Sequence, residues 1–278
     1  MRYSLVTATV GRTSELERFL ASLEAQSYRD FELIVVDQNL DDRLVPLVRS
    51  YEDELAITHI RERRRGASRA RNIGIEHAGG DIVTFPDDDC WYPPDLLGRV
   101  AQIFVHHPEL DGLTGRLIDG HGRGVMGRFD LKPGRIEAFN VWARGIEATI
   151  FLRRSRVEGL RFDESLGVGS GTMWGAGEVT DVMLTLLADG KLLYYYPDIL
   201  IGHPPFTTLY DAKALRKAYS YGCGMGRVLR KHKTPLRLKM KWLIRPLGGT
   251  ILSIARLRPA RALYHFNIFR GRLRGMLP

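Results

Sequence analysis

Three adjacent carboxylates, Asp87, Asp88 and Asp89, are the residues of this sequence best suited to chemistry. Side by side they repel one another and raise each other's pKa unless a cation offsets their charge. A hard divalent ion, Mg²⁺ or Mn²⁺, does this through oxygen ligands and keeps positions open for water and substrate phosphates. The alternative is a solvated acidic turn capping the helix that starts near Pro94, where acidic residues and a first-turn proline are common. The run directly follows the apolar segment Asp81–Phe85, which favours a site over a bare turn. A cation site implies an anionic ligand. Arg69 and Arg71 lie shortly before it, in Gly66-Ala67-Ser68-Arg69-Ala70-Arg71-Asn72. Cations at the start of a helix oppose its dipole. A helix N-terminus after a glycine attracts phosphate, and arginine binds phosphate through paired N–H groups. A bound anion therefore explains these arginines better than a solvated first turn does.

These residues need a frame, and the first half of the chain supplies one. Tyr3–Thr9 is β-prone. Thr13–Gln26 carries Leu16, Phe19, Leu20 and Leu23 at helical spacing, with Thr13 as N-cap. Phe31–Val36 is a nearly continuous apolar run, as in a parallel strand buried on both faces. Leu44–Tyr51 and Ala67–Ala78 read as helices, and Leu55–Ile60 and Asp81–Phe85 as strands. This alternation predicts βαβ units and a doubly wound, mostly parallel sheet. Ligands of such sheets bind beyond the carboxyl ends of the strands. Those ends carry Thr7-Ala8-Thr9, Asp37-Gln38-Asn39 and Asp87–Asp89. Gly112–Arg144 is Gly-rich and poorly periodic and reads as loops and short strands. Ala148–Arg153 reads as a strand, Val179–Ala188 as a helix, and Lys191–Tyr196 and Ile199–Ile201 as closing strands.

Composition divides the 278 residues unevenly. Residues 212–278 hold 17 Lys or Arg and no Asp or Glu, which leaves 24 basic against 32 acidic residues before them. An acidic body with a basic, helix-prone tail implies an anionic partner for the tail: a membrane surface, a nucleic acid or an acidic polymer. We therefore expect a domain over 1–211 and a basic, amphipathic helical region over 212–278. No run of 18 apolar residues is present, and Trp242–Leu257 is interrupted by Arg245, Pro246 and Arg256, so a spanning helix is not expected. Nor is a signal peptide: the first apolar run, Tyr3–Val10, is short and β-rich. Cys90 and Cys223 have neither disulfide-framework nor metal-site spacing, which suits a reducing compartment.

Two longer blocks resemble the inverting nucleotide-sugar glycosyltransferases of the GT-A fold, those similar to glycosyltransferase family 2. FELIVVDQN resembles their second-strand signature. GASRARNIGIEHAGGDIVTFPDDDCWYPPDLL (66–97) resembles their phosphate-binding helix and Asp-x-Asp region, and FDESLGVGSGTMWGAGEVTDVMLTLLADGKLLYYYPDILIGHP (162–204) their acceptor-side half. The resemblance spans roughly 3–204, with the blocks in the expected order. It implies a mixed, mostly parallel α/β sheet flanked by helices, and Asp37 near the nucleotide base with Thr7 beside it. Gln38 departs from the second Asp often found in the family. The resemblance further implies Arg71 on the diphosphate, Asp87 or Asp88 on the ribose or sugar, and Asp89 on the metal with His203 completing its shell. Without the resemblance His203, before Pro204-Pro205, reads as structural. Glu178 and Asp181 stand where the family has its general base, although Val179 replaces the usual Asp. We assign the base to Glu178 and an orienting or capping role to Asp181; either also fits as a helix N-cap. Trp174, between glycine-rich turns, is a candidate to stack on an acceptor sugar or simply to pack.

The implied activity is metal-assisted transfer of a sugar from a nucleoside-diphosphate sugar to a saccharide or lipid-linked saccharide, with peripheral attachment of the tail to the cytoplasmic face of an anionic membrane. Two other classes compete. A nucleotidyltransferase that makes the nucleotide sugar usually has a Gly-rich basic loop after its first strand, and Val10-Gly11-Arg12 has a single glycine. A single-strand-binding protein would use the tail's aromatics and cations, but no nucleic-acid recognition motif is present, so no nucleic acid is expected as partner.

Overall fold

A computed structural model describes residues 1–205 and 209–277, with the side chain of Glu147 left aside. The chain divides into two compact units. The first comprises 1–65, 70–161 and 183–206, and the second comprises 66–69, 162–182 and 207–278. The basic tail thus shares a unit with part of the acceptor-side block, rather than forming one by itself from residue 212.

The first unit holds the whole sheet: β1 (Tyr3–Thr9), β2 (Phe31–Asp37), β3 (Ile57–Arg61), β4 (Ile82–Thr84), β5 (Gly112–Ile118), β6 (Gly134–Arg135), β7 (Phe151–Arg153) and β8 (Leu193–Gly202). The spatial order is β3-β2-β1-β4-β7-β5-β8-β6. Strands β1 to β4 are parallel, β7 runs antiparallel between β4 and β5, and β8 is parallel to β5. The expected α/β frame is therefore present. β1 and β2 pair in strict register from Tyr3 with Phe31 to Thr9 with Asp37. Their apolar runs are buried on both faces, as parallel central strands require.

Helix α1 (Ser14–Glu24) buries Leu16, Phe19, Leu20 and Leu23, the residues whose spacing predicts it. Thr13 is its N-cap residue but makes no side-chain cap bond. α2 (Val45–Arg49) is shorter than the expected helix, α3 is Ala67–His77, and α4 (Leu96–His106) follows the acidic run. In α3, a Cβ on Gly74 would lie 2.1 Å from Val6 Cγ1, so this glycine lets the helix approach β1.

Three expectations change. Where the sequence predicts loops and short strands, Gly112–Ile118 is a seven-residue buried strand inside the sheet. Its glycines obscured the pattern, yet they are what let it fit: a Cβ on Gly115 would meet the Ile199 carbonyl at 2.2 Å. The two expected closing strands are one strand, β8, with a register shift opposite Thr114/Arg116. Within Ala148–Arg153, only Phe151–Arg153 is strand; a short 3₁₀ turn covers Glu147–Thr149.

The chain between also forms α5 (Val141–Arg144) and α6 (Glu178–Ala188). The second unit is dominated by α7 (Ala212–Lys231), α8 (Leu236–Ala255) and α9 (Pro259–Met276). Asp211 caps α7 by accepting a hydrogen bond from Ala214 N at 2.7 Å. α7 and α9 meet backbone to backbone: a Cβ on Gly226 would lie 2.2 Å from Arg272 O, and one on Gly275 2.0 Å from Cys223 O.

Candidate active site

The acidic run sits where β4 ends, beside the end of β8. Trp91 and Gly202 exchange backbone hydrogen bonds of 3.0 and 2.9 Å, which clamps the turn after Asp89 to the last residue of β8. Gly202 has to be glycine there, since a Cβ would lie 1.9 Å from the Trp91 ring. The clamp delivers His203 to the cluster. Its Nε2 lies 3.3 Å from Asp89 Oδ1, while its Nδ1 is 2.6 Å from the Pro204 carbonyl. The ligand atoms of Asp87, Asp89, Cys90 and His203 all fall within 4.8 Å of one another.

The carboxyls differ in their surroundings. Burial pushes Asp87 up to about 6, and neighbouring Asp89 adds to this, against the pull of Arg71 at 3.6 Å. Burial also raises Asp88, with Arg12 as partial offset. Asp89 is held below the usual carboxylate range despite its burial, because His203 and Arg12 stabilise its charge. His203 is raised in turn by Asp89, which outweighs its own burial. Arg12 pairs with the Asp88 carboxylate and lies 2.8 Å from Asp89 Oδ2. Arg18 donates to the Asp89 carbonyl at 2.7 Å and lies over the Trp91 ring.

Two carboxylates and an imidazole are donors that suit Mn²⁺ or Mg²⁺. Cys90 is fully buried, which raises its thiol well above its ordinary value, and sulfur is a softer donor than these hard cations prefer. The residues therefore fit a divalent cation on Asp87, Asp89 and His203. Asp88 faces Arg12 instead, and Arg71 stands at the margin, only 6% exposed as a side chain.

Asp37 lies apart from this cluster, opposite Thr9 at the carboxyl end of β2. It is fully buried and held below its usual range. Burial opposes this, but His59 Nε2 at 3.0 Å and the Asn39 backbone and side-chain N–H groups at 2.8 Å outweigh it. Asn39 in turn accepts from Gly11 N at 2.7 Å, which joins the loops after β1 and β2. Thr7 is also fully buried, and its hydroxyl has no hydrogen-bond partner among the described residues.

Trp174, Glu178 and Asp181 belong to the second unit. Glu178 opens α6 and is buried against Gly167, which adopts φ +98 and whose Cβ, if present, would lie 2.9 Å from the Glu178 carboxyl carbon. Asp181 is bound by Lys231 Nζ at 2.8 Å and His232 Nε2 at 2.7 Å, so its carboxylate fastens the end of α7. Trp174 stacks under the Arg227 guanidinium, 4.6 Å from the ring centroid. The structure thus brings Arg71, the acidic run and His203, which the sequence singles out, next to Arg12 and Arg18, which it does not. The usable signal for Arg12 was a single cation in the loop after the first strand, facing an excess of acid at a neighbouring strand end.

Residues 4–141 match the model of Glycosyl transferase family 2. A GalNAc(5)-diNAcBac-PP-undecaprenol beta-1,3-glucosyltransferase of Campylobacter jejuni is 30% identical over 185 residues, 62% of this chain and 58% of that protein. The poly(ribitol-phosphate) beta-N-acetylglucosaminyltransferase TarS of Staphylococcus aureus is 26% identical over 45% of this chain and 22% of its own length. An uncharacterized glycosyltransferase of Haemophilus influenzae is 32% identical over 39% of this chain and 36% of its own. The chain therefore matches less than two thirds of the length of each of these relatives. In fold, it superposes over 99% of its length on 87% of the mannosyltransferase PcManGT from Pyrobaculum calidifontis in complex with GDP-Man and Mn²⁺, with a TM-score of 0.67 at 17% identity. Crystal structures of TarS match over 98% of the chain, and the TarS 1-349 complex with UDP-GlcNAc gives a TM-score of 0.60 at 16% identity.

Proposed function

The chain is a family 2-like glycosyltransferase of the GT-A fold, and from that premise we propose that it transfers a sugar, with inversion and with the help of a divalent cation, from a nucleoside-diphosphate sugar to an acceptor hydroxyl. One observation carries this reading. Asp87, Asp89 and His203 converge at the ends of β4 and β8, with Arg71 and Arg12 beside them.

A divalent cation bound there supplies positive charge for the departing diphosphate. The chain's residues do the rest. Arg71 stabilises the diphosphate as its charge grows. Of Asp87 and Asp88, the two candidates for a ribose or sugar hydroxyl, Asp88 is the one outside the proposed cation site, and Asp37 and Thr7 are assigned to the base end. Glu178 takes the proton of the acceptor hydroxyl as its oxygen bonds to the anomeric carbon and the bond to the diphosphate breaks on the opposite side. Trp174 is assigned to the acceptor sugar. Asp181, committed to Lys231 and His232, has an orienting role.

The family assignment leaves the nucleotidyltransferase and nucleic-acid-binding alternatives without support. For the acceptor, the Campylobacter relative's undecaprenol-linked substrate supports a lipid-linked saccharide. No helix among the described residues is long and apolar enough to cross a membrane. α8 nevertheless exposes Ile244, Ile251, Leu252 and Ile254 in a segment rich in Lys and Arg, which supports peripheral attachment to an anionic, cytoplasmic membrane face.

The test is a transfer and hydrolysis assay over a panel of UDP- and GDP-sugars. Turnover of at least one donor is expected, abolished by EDTA and restored by Mn²⁺ or Mg²⁺. Full activity in metal-free buffer would exclude the cation, and turnover of none would exclude the reading.

A further inference from the structure

The tail contains a cluster of cations that sugar transfer does not use. Trp242 of α8 is buried, and three positive groups surround its ring: Lys241 at 5.7 Å, Arg245 at 5.0 Å and Arg272 of α9 at 5.9 Å from the centroid. Arg272 donates through Nη1 to the Trp242 carbonyl, but its Nε is buried without an acceptor among the described residues. Lys241 and Arg245 are exposed, so the group opens to solvent above a half-buried floor. Residues 212–278 contain no acid, and none of the three cations forms an ion pair among the described residues.

The indole face attracts cations, by about 0.5–2 kcal/mol each. That attraction does not supply an acceptor for the buried N–H, nor does it cancel the mutual repulsion of two guanidinium groups. A buried unsatisfied donor costs about 1–3 kcal/mol, and more when charged. Burial and the charge of Arg245 push the Arg272 guanidinium down to about 10, as expected where a counter-anion is missing. Carboxylates elsewhere in this unit do meet their cations, as Asp163 and Asp181 meet Lys231. Planar guanidinium groups beside an ammonium suit a tetrahedral oxyanion, which offers several acceptors at once.

We propose that Lys241, Arg245 and Arg272, gathered on Trp242, form a phosphate-binding site in the tail, which takes the phosphate or diphosphate of a lipid headgroup or of a soluble compound. This site shares no residue with the metal cluster and does not depend on the sugar-transfer reading. It gives the membrane reading a definite contact, because α8 carries its exposed isoleucines and leucine on the same helix.

The experiment uses the full chain in EDTA, with pyrophosphate as soluble probe and vesicles of phosphatidylglycerol or phosphatidylcholine as lipid probes. Pyrophosphate should bind more tightly than chloride at equal ionic strength, and Arg245→Gln should weaken it at least about tenfold, the scale of one charge-assisted contact. Arg256→Gln, an equal charge change outside the cluster, should leave it unaltered. Arg245→Gln should also be no less heat-stable than the unaltered chain without anion, which shows that a fold defect is not the cause. Loss of phosphatidylglycerol binding in Arg245→Gln assigns the site to a headgroup, whereas loss of pyrophosphate binding alone assigns it to a soluble phosphate. Equal pyrophosphate affinity in Arg245→Gln and Arg256→Gln overturns the proposal, whatever the transfer assay gives.

Discussion

Asp87 should make the metal-free protein less stable as the pH rises, and Asp87→Asn should remove that dependence. The carboxyl is 28% exposed, and burial raises it from 3.8 to about 6 in the folded chain. In that window the folded state still holds a proton that the unfolded state has released. Folding stability therefore falls as pH rises from the ordinary value through about 6, and the loss is complete above it. A shift of about two units corresponds to about 3 kcal/mol, of which about 2 kcal/mol is lost between roughly pH 4.5 and 7.5. Asp87→Asn cannot titrate. The pairing with Arg71 grows as the carboxyl ionises and is already part of its titration near 6, so the pH dependence of the difference between the two proteins isolates the carboxyl with its surroundings. The assay is denaturant unfolding in EDTA at both pH values, repeated with Mn²⁺. In EDTA, Asp87→Asn should gain about 2 kcal/mol relative to the unaltered chain on going from the lower to the higher pH. With Mn²⁺ that advantage should shrink or reverse, since the ion binds the folded, ionised cluster and stabilises it by mass action. A stability difference that does not change with pH in EDTA refutes the argument that burial and Asp89, rather than Arg71, set the charge state of Asp87.

Three further outcomes are expected. Glu178→Gln should retain donor binding, measured by calorimetry with nucleoside diphosphate, and lose at least about 100-fold in kcat, the scale of general-base catalysis; if Asp181→Asn loses more turnover while folded, the two roles are exchanged. Asp181→Asn should cost about 1–3 kcal/mol in unfolding free energy, because it removes the nearly buried carboxylate that Lys231 and His232 share, although Asp163 still pairs with Lys231. The full chain should pellet with anionic vesicles at low salt and be released at high salt; equal, negligible pelleting with anionic and neutral lipid would remove the membrane role and favour a soluble acceptor.

The parts of this fold visible in the sequence are those where one physical pattern dominates. β1 and β2 are continuous apolar runs because both faces are covered, and α1 shows its buried stripe at helical spacing. β5 was hidden because Gly112 and Gly115 serve its neighbours rather than its own β-propensity. In α7, Gly222, Gly224 and Gly226 likewise serve close contacts, yet the basic tail that holds them still reads as helical. Pro197-Asp198 split β8 into two apparent strands, yet the residues on either side continue one strand across a register shift. Within the candidate site, the acidic run and Arg71 stood out by residue type and position, and His203 through family resemblance alone. Arg12 was missed because nothing local marks it; its meaning lies in the carboxylates of a distant turn.

The clamp between Trp91 and Gly202 has a consequence in time as well as in space. Asp89 and His203 stand on the order of a hundred residues apart in the chain, and β8 is the last strand in chain order among the described residues. Until it is laid against β5 and bridged to Trp91, the carboxylates are present but the imidazole is not. If the proposed ion binds there, the capacity to take it up is a late event that a nascent or partly opened chain lacks. Under the proposed cation reading, metal loading would report completed assembly of the sheet: local fraying at the end of β8, without unfolding anything else, would empty the site reversibly.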